Sequence, residues 1–208
     1  MVKEIRIYIE GGGDSNETKA ALRRGFSSFF KELVQVAKSK KIKWNIILCG
    51  SRNNAFRDFK NALATHPDAF VILLVDSEAP VTQSPWEHLK SRDKWDAPSG
   101  VDETHCYLMV QTMEAWFMAD IDTLKKFYGQ GFKENAIPKN INVETIEKDR
   151  LERSLKAATR DTESKGEYQK IQHASKLLEM LDVDKVRKAS SECERLFTTL
   201  TELMEQDN

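Results

Sequence analysis

The chain has 208 residues, of which 31% are charged and 40% are apolar, and its formal net charge is −1. No apolar run approaches the roughly 20 residues of a membrane span, and the near-neutral balance lacks the overall basic character of many nucleic-acid binders. We therefore expect a water-exposed protein, of one domain with an appended helical part, that would contact nucleic acid only through a local basic patch.

The three cysteines, Cys49, Cys106 and Cys193, are widely spaced and show neither a disulfide framework nor the paired spacing of a zinc site. The start of the sequence has no signal-peptide pattern, so these residues predict reduced thiols in a cytoplasmic protein. The sequence also has no Walker loop, no Ser-His-Asp order and no Cys-His pair. It therefore gives no support to hydrolysis by a protein nucleophile.

The first half of the chain alternates apolar runs with helical patterns. Strands are predicted at residues 2–9, 44–48 and 70–75, with helices over 16–39 and from about 51 onward. The third run is continuously apolar, which is typical of a strand buried on both faces of a parallel sheet. Two successive βαβ units predict a right-handed parallel α/β sheet.

Residues 79–103 contain three prolines and predict a long surface loop or lid with a short helix at about 86–94. A fourth strand over 104–111 and a helix to residue 127 follow. Later helical patterns cover residues 144–159, 171–181 and 191–204. The sequence thus predicts a Rossmann-like α/β core of residues 1–127 and a helical C-terminal extension, 128–208, packed on it or forming one domain with it.

Acidic side chains follow two of the predicted strands. Glu10 ends the first strand and precedes three glycines and Asp14, while Asp76 and Glu78 end the third. Carboxylates held close together repel one another unless a cation neutralises them, and hard oxygen ligands suit Mg²⁺ or Mn²⁺. These four acids therefore predict a metal site, although each alone could cap a helix or a turn.

Other polar residues have two open interpretations each. Arg52, at the tip of the second strand, could hold a phosphate or lie on the surface of a capped helix. Glu114 could add a carboxylate or cap the helix that begins near it. A polar stretch before a later helix could contact a nucleic-acid backbone and stack a base, or be a solvated loop. Its members are Lys165, Tyr168, Lys170 and His173.

The pattern Glu-Gly-x-x-Asp after the first strand, with Asp-x-Glu after the third, resembles the Toprim domain of topoisomerases, bacterial primases and OLD-family nucleases. In that family a glutamate follows the first strand and Asp-x-Asp follows a later one. Glu10 and Asp76 match this pattern, whereas Glu78 stands where aspartate is usual. Asp14 resembles the additional acid of the OLD-type signature, which implies a second metal ion.

More closely, most of the chain resembles a bacterial Toprim-like group of proteins, DUF4276. The stretches that carry this resemblance are IEGGGDS, CGSRNNAF, LLVDSEAP with PWEHL, MVQTMEAWFMAD and KGEYQKIQH. The resemblance implies a Toprim fold, and Toprim-like proteins in bacteria often act as nuclease effectors against phage. A topoisomerase or primase subunit is disfavoured, because the chain has neither a tyrosine-bearing cleavage domain nor a zinc module.

Together these observations predict a Mg²⁺- or Mn²⁺-dependent nuclease that cleaves DNA or RNA. Glu10 is the expected metal ligand or general base, Asp76 and Glu78 are expected metal ligands, and Asp14 would support a second ion. The expected nucleic-acid contacts are Arg52, Lys165, Lys170 and His173. The alternative is a non-catalytic adaptor with a structural metal site, or a regulatory partner of an ATPase.

Overall fold

The protein was analysed as a computed structural model that describes residues 2–205. Four parallel strands form one sheet in the order β2-β1-β3-β4. They are β1 (Glu4–Ile9), β2 (Lys43–Leu48), β3 (Ala69–Asp76) and β4 (Cys106–Met109). Helices flank this sheet, so the predicted α/β fold with a parallel sheet is confirmed.

The helices cover more of the chain than the strands do. They are α1 (Asn16–Phe29), α2 (Lys31–Ser39), α3 (Arg52–Thr65), α4 (Pro85–Asp93), α5 (Glu114–Met118), α6 (Ile121–Tyr128), α7 (Lys148–Thr159), α8 (Lys170–Met180), α9 (Val183–Ala189) and α10 (Ser191–Glu205). Short 3-10 turns lie at Glu103–His105, Glu134–Ala136 and Val143–Thr145. None of the helices within residues 2–205 has both the length and the apolarity that crossing a membrane requires.

The sheet order places the candidate acids at one edge. Strand β1 pairs with β3 along its whole length, and Ile9 lies beside Leu74. Glu10 follows Ile9, and Asp76 ends β3 two residues after Leu74. The expectation that the first and third strands are neighbours is therefore confirmed, and both acids lie at the carboxyl edge, where α/β sheets bind ligands.

Alternating side chains of β3 face two separate hydrophobic clusters, one on each side of the sheet. Ile72 and Leu74 belong to the cluster that contains side chains of α1, α8 and α10. Val71 and Leu73 belong to the opposite cluster, which includes side chains of α3 and α4. Burial on both faces explains why this strand is a continuous apolar run.

The C-terminal helices share the larger cluster with the first 127 residues. Phe29 of α1 stacks on Trp116 at 4.9 Å between ring centroids and meets Phe197 of α10 edge-on at 5.7 Å. Leu177 of α8 is buried in the same cluster. The predicted domain boundary at residue 127 stays a prediction, but the core is continuous across it.

Some element bounds differ from the sequence prediction. The helix expected over 16–39 is divided at Phe30, whose buried ring packs near Trp44 and Phe197. The helix expected up to residue 127 is interrupted where Asp120 caps α6. The fourth strand is shorter than expected, because a 3-10 turn capped by Asp102 precedes it. Helix α9 was not predicted.

Candidate functional site

A glycine turn links β1 to α1 at the carboxyl edge of the sheet. Gly11, Gly12 and Gly13 have φ angles of 123°, 86° and 59°, which residues other than glycine rarely adopt. Gly11 also exchanges two backbone hydrogen bonds with Gly50, at 2.8 and 3.0 Å, so the turns after β1 and β2 are joined. The Ser15 hydroxyl then accepts from the Thr18 amide at 3.1 Å and caps α1. The turn thus fixes the backbone beside Glu10.

Arg52 lies at the start of α3 and connects two acids. Its Nη1 donates to Glu10 Oε2 at 3.0 Å and to the Asp76 carbonyl, while Nε and Nη2 donate to the Asp93 carboxylate at 2.9 and 2.7 Å. The guanidinium also lies over the Trp95 ring, 5.1 Å from its centroid. The Arg52 side chain is only 13% exposed, and its guanidinium donates to protein acceptors through all three of its nitrogens. The phosphate contact predicted for it stays a prediction.

Asp76 is a buried carboxylate at the end of β3. Its Oδ1 accepts a hydrogen bond from the Met113 amide at 2.8 Å, and its Oδ2 lies 3.6 Å from Lys170 Nζ. Burial raises the pKa of Asp76 to about 7, with smaller upward contributions from Glu114 and Glu10 and an opposing contribution from Lys170. Burial also raises the pKa of Glu10, against the lowering effect of Arg52. The charges of Glu114 and Glu10 thus raise the pKa of Asp76, and the charge of Glu78 raises the pKa of Glu10, as repulsion between nearby carboxylates does.

Glu114 is the third buried acid of this edge. It is the first residue of α5, and its carboxylate accepts from Tyr168 Oη at 3.0 Å and from Lys170 Nζ at 3.2 Å. Burial raises the pKa of Glu114, but Lys170 and the hydrogen bonds outweigh burial, so the pKa is lowered. Conversely, burial lowers the pKa of Lys170, but Asp76 and Glu114 outweigh that effect and raise it. Lys170 is thus the cation that balances both acids.

Within residues 2–205, neither of the remaining two predicted metal ligands pairs with Lys170, although the charge of Glu78 raises the pKa of Glu10. Glu78 pairs with Lys148, lies 3.8 Å from Arg92, and has a φ of 64°, a strained conformation for a non-glycine residue. It lines a cavity of about 340 Å³ together with Glu114 and Lys170. Asp14 is exposed in the turn before α1. It lines neither this cavity nor a second one, of about 240 Å³, that Glu10 and Asp76 line. Their metal-ligand roles stay predictions.

Of the basic loop residues, Lys170 is the one that reaches the acids. Lys165 lies over the Phe127 ring, 5.3 Å from its centroid. His173 is buried, and its Nδ1 accepts hydrogen bonds from the Gln169 amide at 3.2 Å and from Tyr128 Oη at 3.0 Å. Burial, with smaller contributions from the charges of Lys176 and Lys165, lowers the pKa of His173 and so favours its neutral ring. The nucleic-acid contacts predicted for Lys165 and His173 stay predictions.

A family model described as Domain of unknown function (DUF4276) matches residues 9–201 of the chain. The chain belongs to the DUF4276 family. No curated protein and no solved structure matches it. The predicted resemblance to DUF4276 is therefore confirmed, and the wider Toprim-like assignment stays a prediction.

The acids of this DUF4276 protein could hold Mg²⁺ only together with ligands from outside the protein. Within residues 2–205 no three His, Cys, Asp or Glu side chains converge closely enough to hold a metal ion among themselves. Magnesium, however, is usually bound by one or two carboxylates, with waters and substrate phosphates as its other ligands. Asp76 and Glu114 supply such a pair, and the Lys170 ammonium already lies between them as a stand-in cation. The donor set fits Mg²⁺ or Mn²⁺ if the half-exposed lysine moves aside.

The structure places Glu114 in the candidate site, whereas the sequence left its role open between two interpretations. Its position a short segment after the fourth strand carried a signal, because the same edge of the sheet holds the ends of β1 and β3. Composition could not decide which way the carboxylate points. In the DUF4276 fold the contacts with Tyr168 and Lys170 decide this, since they draw the carboxylate toward Asp76.

Proposed function

We propose that this DUF4276 protein is a Mg²⁺- or Mn²⁺-dependent nuclease that cleaves phosphodiester bonds of DNA or RNA. The observation that carries the proposal is the Lys170 ammonium, which lies 3.6 Å from Asp76 Oδ2 and 3.2 Å from the Glu114 carboxylate. Two acids at the carboxyl edge of a parallel sheet, already holding a cation between them, are suited to a divalent ion and the phosphate it carries.

The roles of the side chains follow from their contacts. A bound divalent ion would activate a water molecule and neutralise charge on the phosphate. Asp76 and Glu114 would hold that ion. Glu10, whose pKa is raised by burial, would accept a proton at its carboxylate while Arg52 keeps that carboxylate in place. The proposal does not depend on Glu78 or Asp14.

Three lysines line the cavity of about 340 Å³ that contains Glu114: Lys148, Lys156 and Lys170. Each is paired with a glutamate of the same cavity, Glu78, Glu152 and Glu114 respectively. Under the proposal, backbone phosphates would replace these glutamates as partners of the lysines, in contacts that do not read sequence.

The cellular setting is part of the same proposal. The three cysteines are buried free thiols, and burial raises the pKa of Cys49 to about 12, which suits a reduced, cytoplasmic environment. The resemblance of the acidic pattern to Toprim-like proteins is the basis for proposing a role as an anti-phage effector. An ATPase partner would then supply the trigger, since the sequence has no Walker loop.

The proposal is tested by Asp76→Asn, with Asp122→Asn as the matched control. Asparagine still accepts the Met113 hydrogen bond, and Asp122 is an 87% exposed carboxylate outside the site. Mn²⁺ at about 100 times its dissociation constant should raise the Tm of the wild type and the control by about 5–10 °C. The same two proteins should cut labelled DNA or RNA, and Asp76→Asn should lose both effects.

The outcomes separate the two functions considered. A Mn²⁺-dependent rise in Tm that disappears in Asp76→Asn, with no cleavage of DNA or RNA, would replace the nuclease by the non-catalytic adaptor. Cleavage that persists in Asp76→Asn and in Glu114→Gln would refute the assignment of these acids. A wild type without either effect would overturn the proposal.

A further inference from the structure

The two edges of the sheet are covered to different extents. Strand β4 forms one edge and strand β2 forms the other. At β4, two side chains of α10, Glu192 and Arg195, bond to backbone groups of the strand. At β2, one helix side chain does so within residues 2–205: Arg23 Nε donates to the Ile46 carbonyl oxygen at 3.1 Å. The edge formed by β2 is therefore the less covered of the two.

Alternate backbone groups of β2 point away from β1. The amides of Lys43 and of Cys49, just after the strand, both donate at 3.0 Å to the segment that contains β1, so the odd-numbered residues of β2 face that strand. The amides of Trp44, Ile46 and Leu48 therefore face outward. Within residues 2–205 these three amides have no acceptor. An edge of this kind is a template for pairing with another strand.

One face of β2 is also less covered than the other. Helices α1 and α2 pack on the face that holds Ile46 and Leu48, and both of these side chains are buried. On the opposite face, α3 packs on β3 and β1. The β2 side chains on that face are exposed at Lys43 and partly exposed at Asn45 and Ile47. A strand added beside β2 would therefore also shield Ile47 from water.

The two ends of β2 have opposite charge. Lys41 and Lys43 are exposed at its start. The glycine turn lies against Gly50 at its end, and this turn leads into the exposed acids Asp14 and Glu17. Within residues 2–205 none of these four charged side chains has an ion-pair partner. A strand that ran antiparallel to β2 would match these charges if it carried acids at its end and lysines at its start.

We propose that the protein forms a two-fold symmetric dimer in which β2 pairs antiparallel with the β2 of a second copy. A two-fold axis brings the start of each β2 beside the end of the other. Lys41 and Lys43 then face Asp14 and Glu17 of the second copy, and the outward amides gain acceptors. A parallel pairing would instead place like charges together. The inference does not rest on the proposed nuclease activity, because it uses none of the acids assigned to the ion.

Sedimentation velocity of the metal-free protein tests the dimer, whose dissociation constant should be about 10 μM or tighter. Lys43→Glu changes two symmetry-related contacts from attraction to repulsion and should weaken the dimer at least about 10-fold. Lys126→Glu, at an exposed position of α6, makes the same change of charge and should leave the dimer unchanged. Asp14→Lys alone should weaken the dimer as Lys43→Glu does. The two changes combined should restore the affinity to within about 3-fold of the wild type.

Hydrogen exchange locates the contact. The amides of Trp44, Ile46 and Leu48 should exchange at least about 3-fold more slowly in the dimer than in the protein diluted to the monomer. The Leu108 amide, at the opposite edge, should not change. A protein that stays monomeric at about 200 μM would overturn the inference, as would a dimer whose three outward amides exchange at the monomer's rate. A dimer that Lys43→Glu weakens, and that the combined variant does not restore, would refute the antiparallel arrangement.

Discussion

Tyr168 Oη donates a hydrogen bond to Glu114 Oε1 at 3.0 Å. The bond joins the segment before α8 to the start of α5, and Tyr168 is only 3% exposed. The same segment leads directly into Lys170, whose ammonium contacts Glu114 and Asp76. The C-terminal part of the chain therefore completes the acidic site of the sheet and does not merely cover it.

Tyr168→Phe should lower the free energy of unfolding by about 1–3 kcal/mol, because the buried Glu114 carboxylate loses a donor. Urea denaturation measures this change. Tyr8→Phe is the control: its ring is also buried, but its hydroxyl meets Arg6 in a partly exposed contact at 3.2 Å. Tyr8→Phe should lower the free energy of unfolding by less than about 1 kcal/mol. Equal costs in the two variants would contradict a special role for the Tyr168 bond.

Asp120 provides a test of pH dependence away from the site. Its carboxylate accepts from Lys185 Nζ at 2.8 Å and from the Asp182 amide at 3.0 Å. Burial raises the pKa of Asp120, but the hydrogen bonds from Lys185 and Thr123 outweigh burial and lower the pKa below its ordinary value of 3.8. A lowered pKa means that this stabilisation is complete above pH 3.8 and is lost as the pH falls through the folded-state pKa.

Asp120→Asn should therefore lower the free energy of unfolding by about 1–3 kcal/mol at pH 7. The difference in unfolding free energy between this variant and the wild type should shrink as the pH falls below about 4. Denaturation at several pH values measures both effects. Asp122→Asn is the matched control, because Asp122 pairs with the same Lys185 but is 87% exposed. Asp122→Asn should lower the free energy of unfolding by about 0–1 kcal/mol. A difference between Asp120→Asn and the wild type that does not change with pH would refute this account.

The sequence predicted the parts of the site that depend on strand order. Glu10 and Asp76 directly end apolar strands, and a parallel sheet brings such ends to one edge without any knowledge of side-chain packing. The side-chain contacts depend on residues far apart in the chain. Tyr168 and His173 occur in a polar stretch typical of a solvated loop, yet both are buried against partners from α5 and α6. Local composition carries no information on such contacts.

The contact between α1 and α8 also depends on a single small residue. A Cβ atom at Gly25 would lie 2.8 Å from the Ser175 carbonyl oxygen, closer than real Cβ contacts, and a helix backbone cannot give way as a flexible side chain can. Alanine normally favours a helix over glycine by about 1 kcal/mol. At this position the clash should dominate, because overpacking costs about 1–3 kcal/mol.

Gly25→Ala should therefore destabilise the protein, with a fall in Tm measured by calorimetry. Ser28→Ala, at an exposed position of the same helix, should leave the Tm nearly unchanged or raise it slightly. A rise in Tm for Gly25→Ala would show that α8 can move away from α1.

Helix α10 protects the free edge of the sheet. Strand β4 is an edge strand, and such strands leave backbone groups without a strand partner. Glu192 Oε2 accepts from the Leu108 amide at 3.3 Å, and Arg195 donates to the Cys106 carbonyl at 2.6 Å and to the Glu103 carbonyl at 2.9 Å. Two side chains of one helix thus take the place of a fifth strand.

Glu192→Ala should release the Leu108 amide, whose exchange with deuterium should become at least about 10-fold faster if the bond contributes about 1.4 kcal/mol or more to local stability. Glu202→Ala, on the same helix, is the control and should not change that rate. The fold should remain intact in both, since neither residue belongs to the hydrophobic clusters. Unchanged exchange at Leu108 in Glu192→Ala would mean that the packing of α10, and not its side-chain hydrogen bonds, protects the edge.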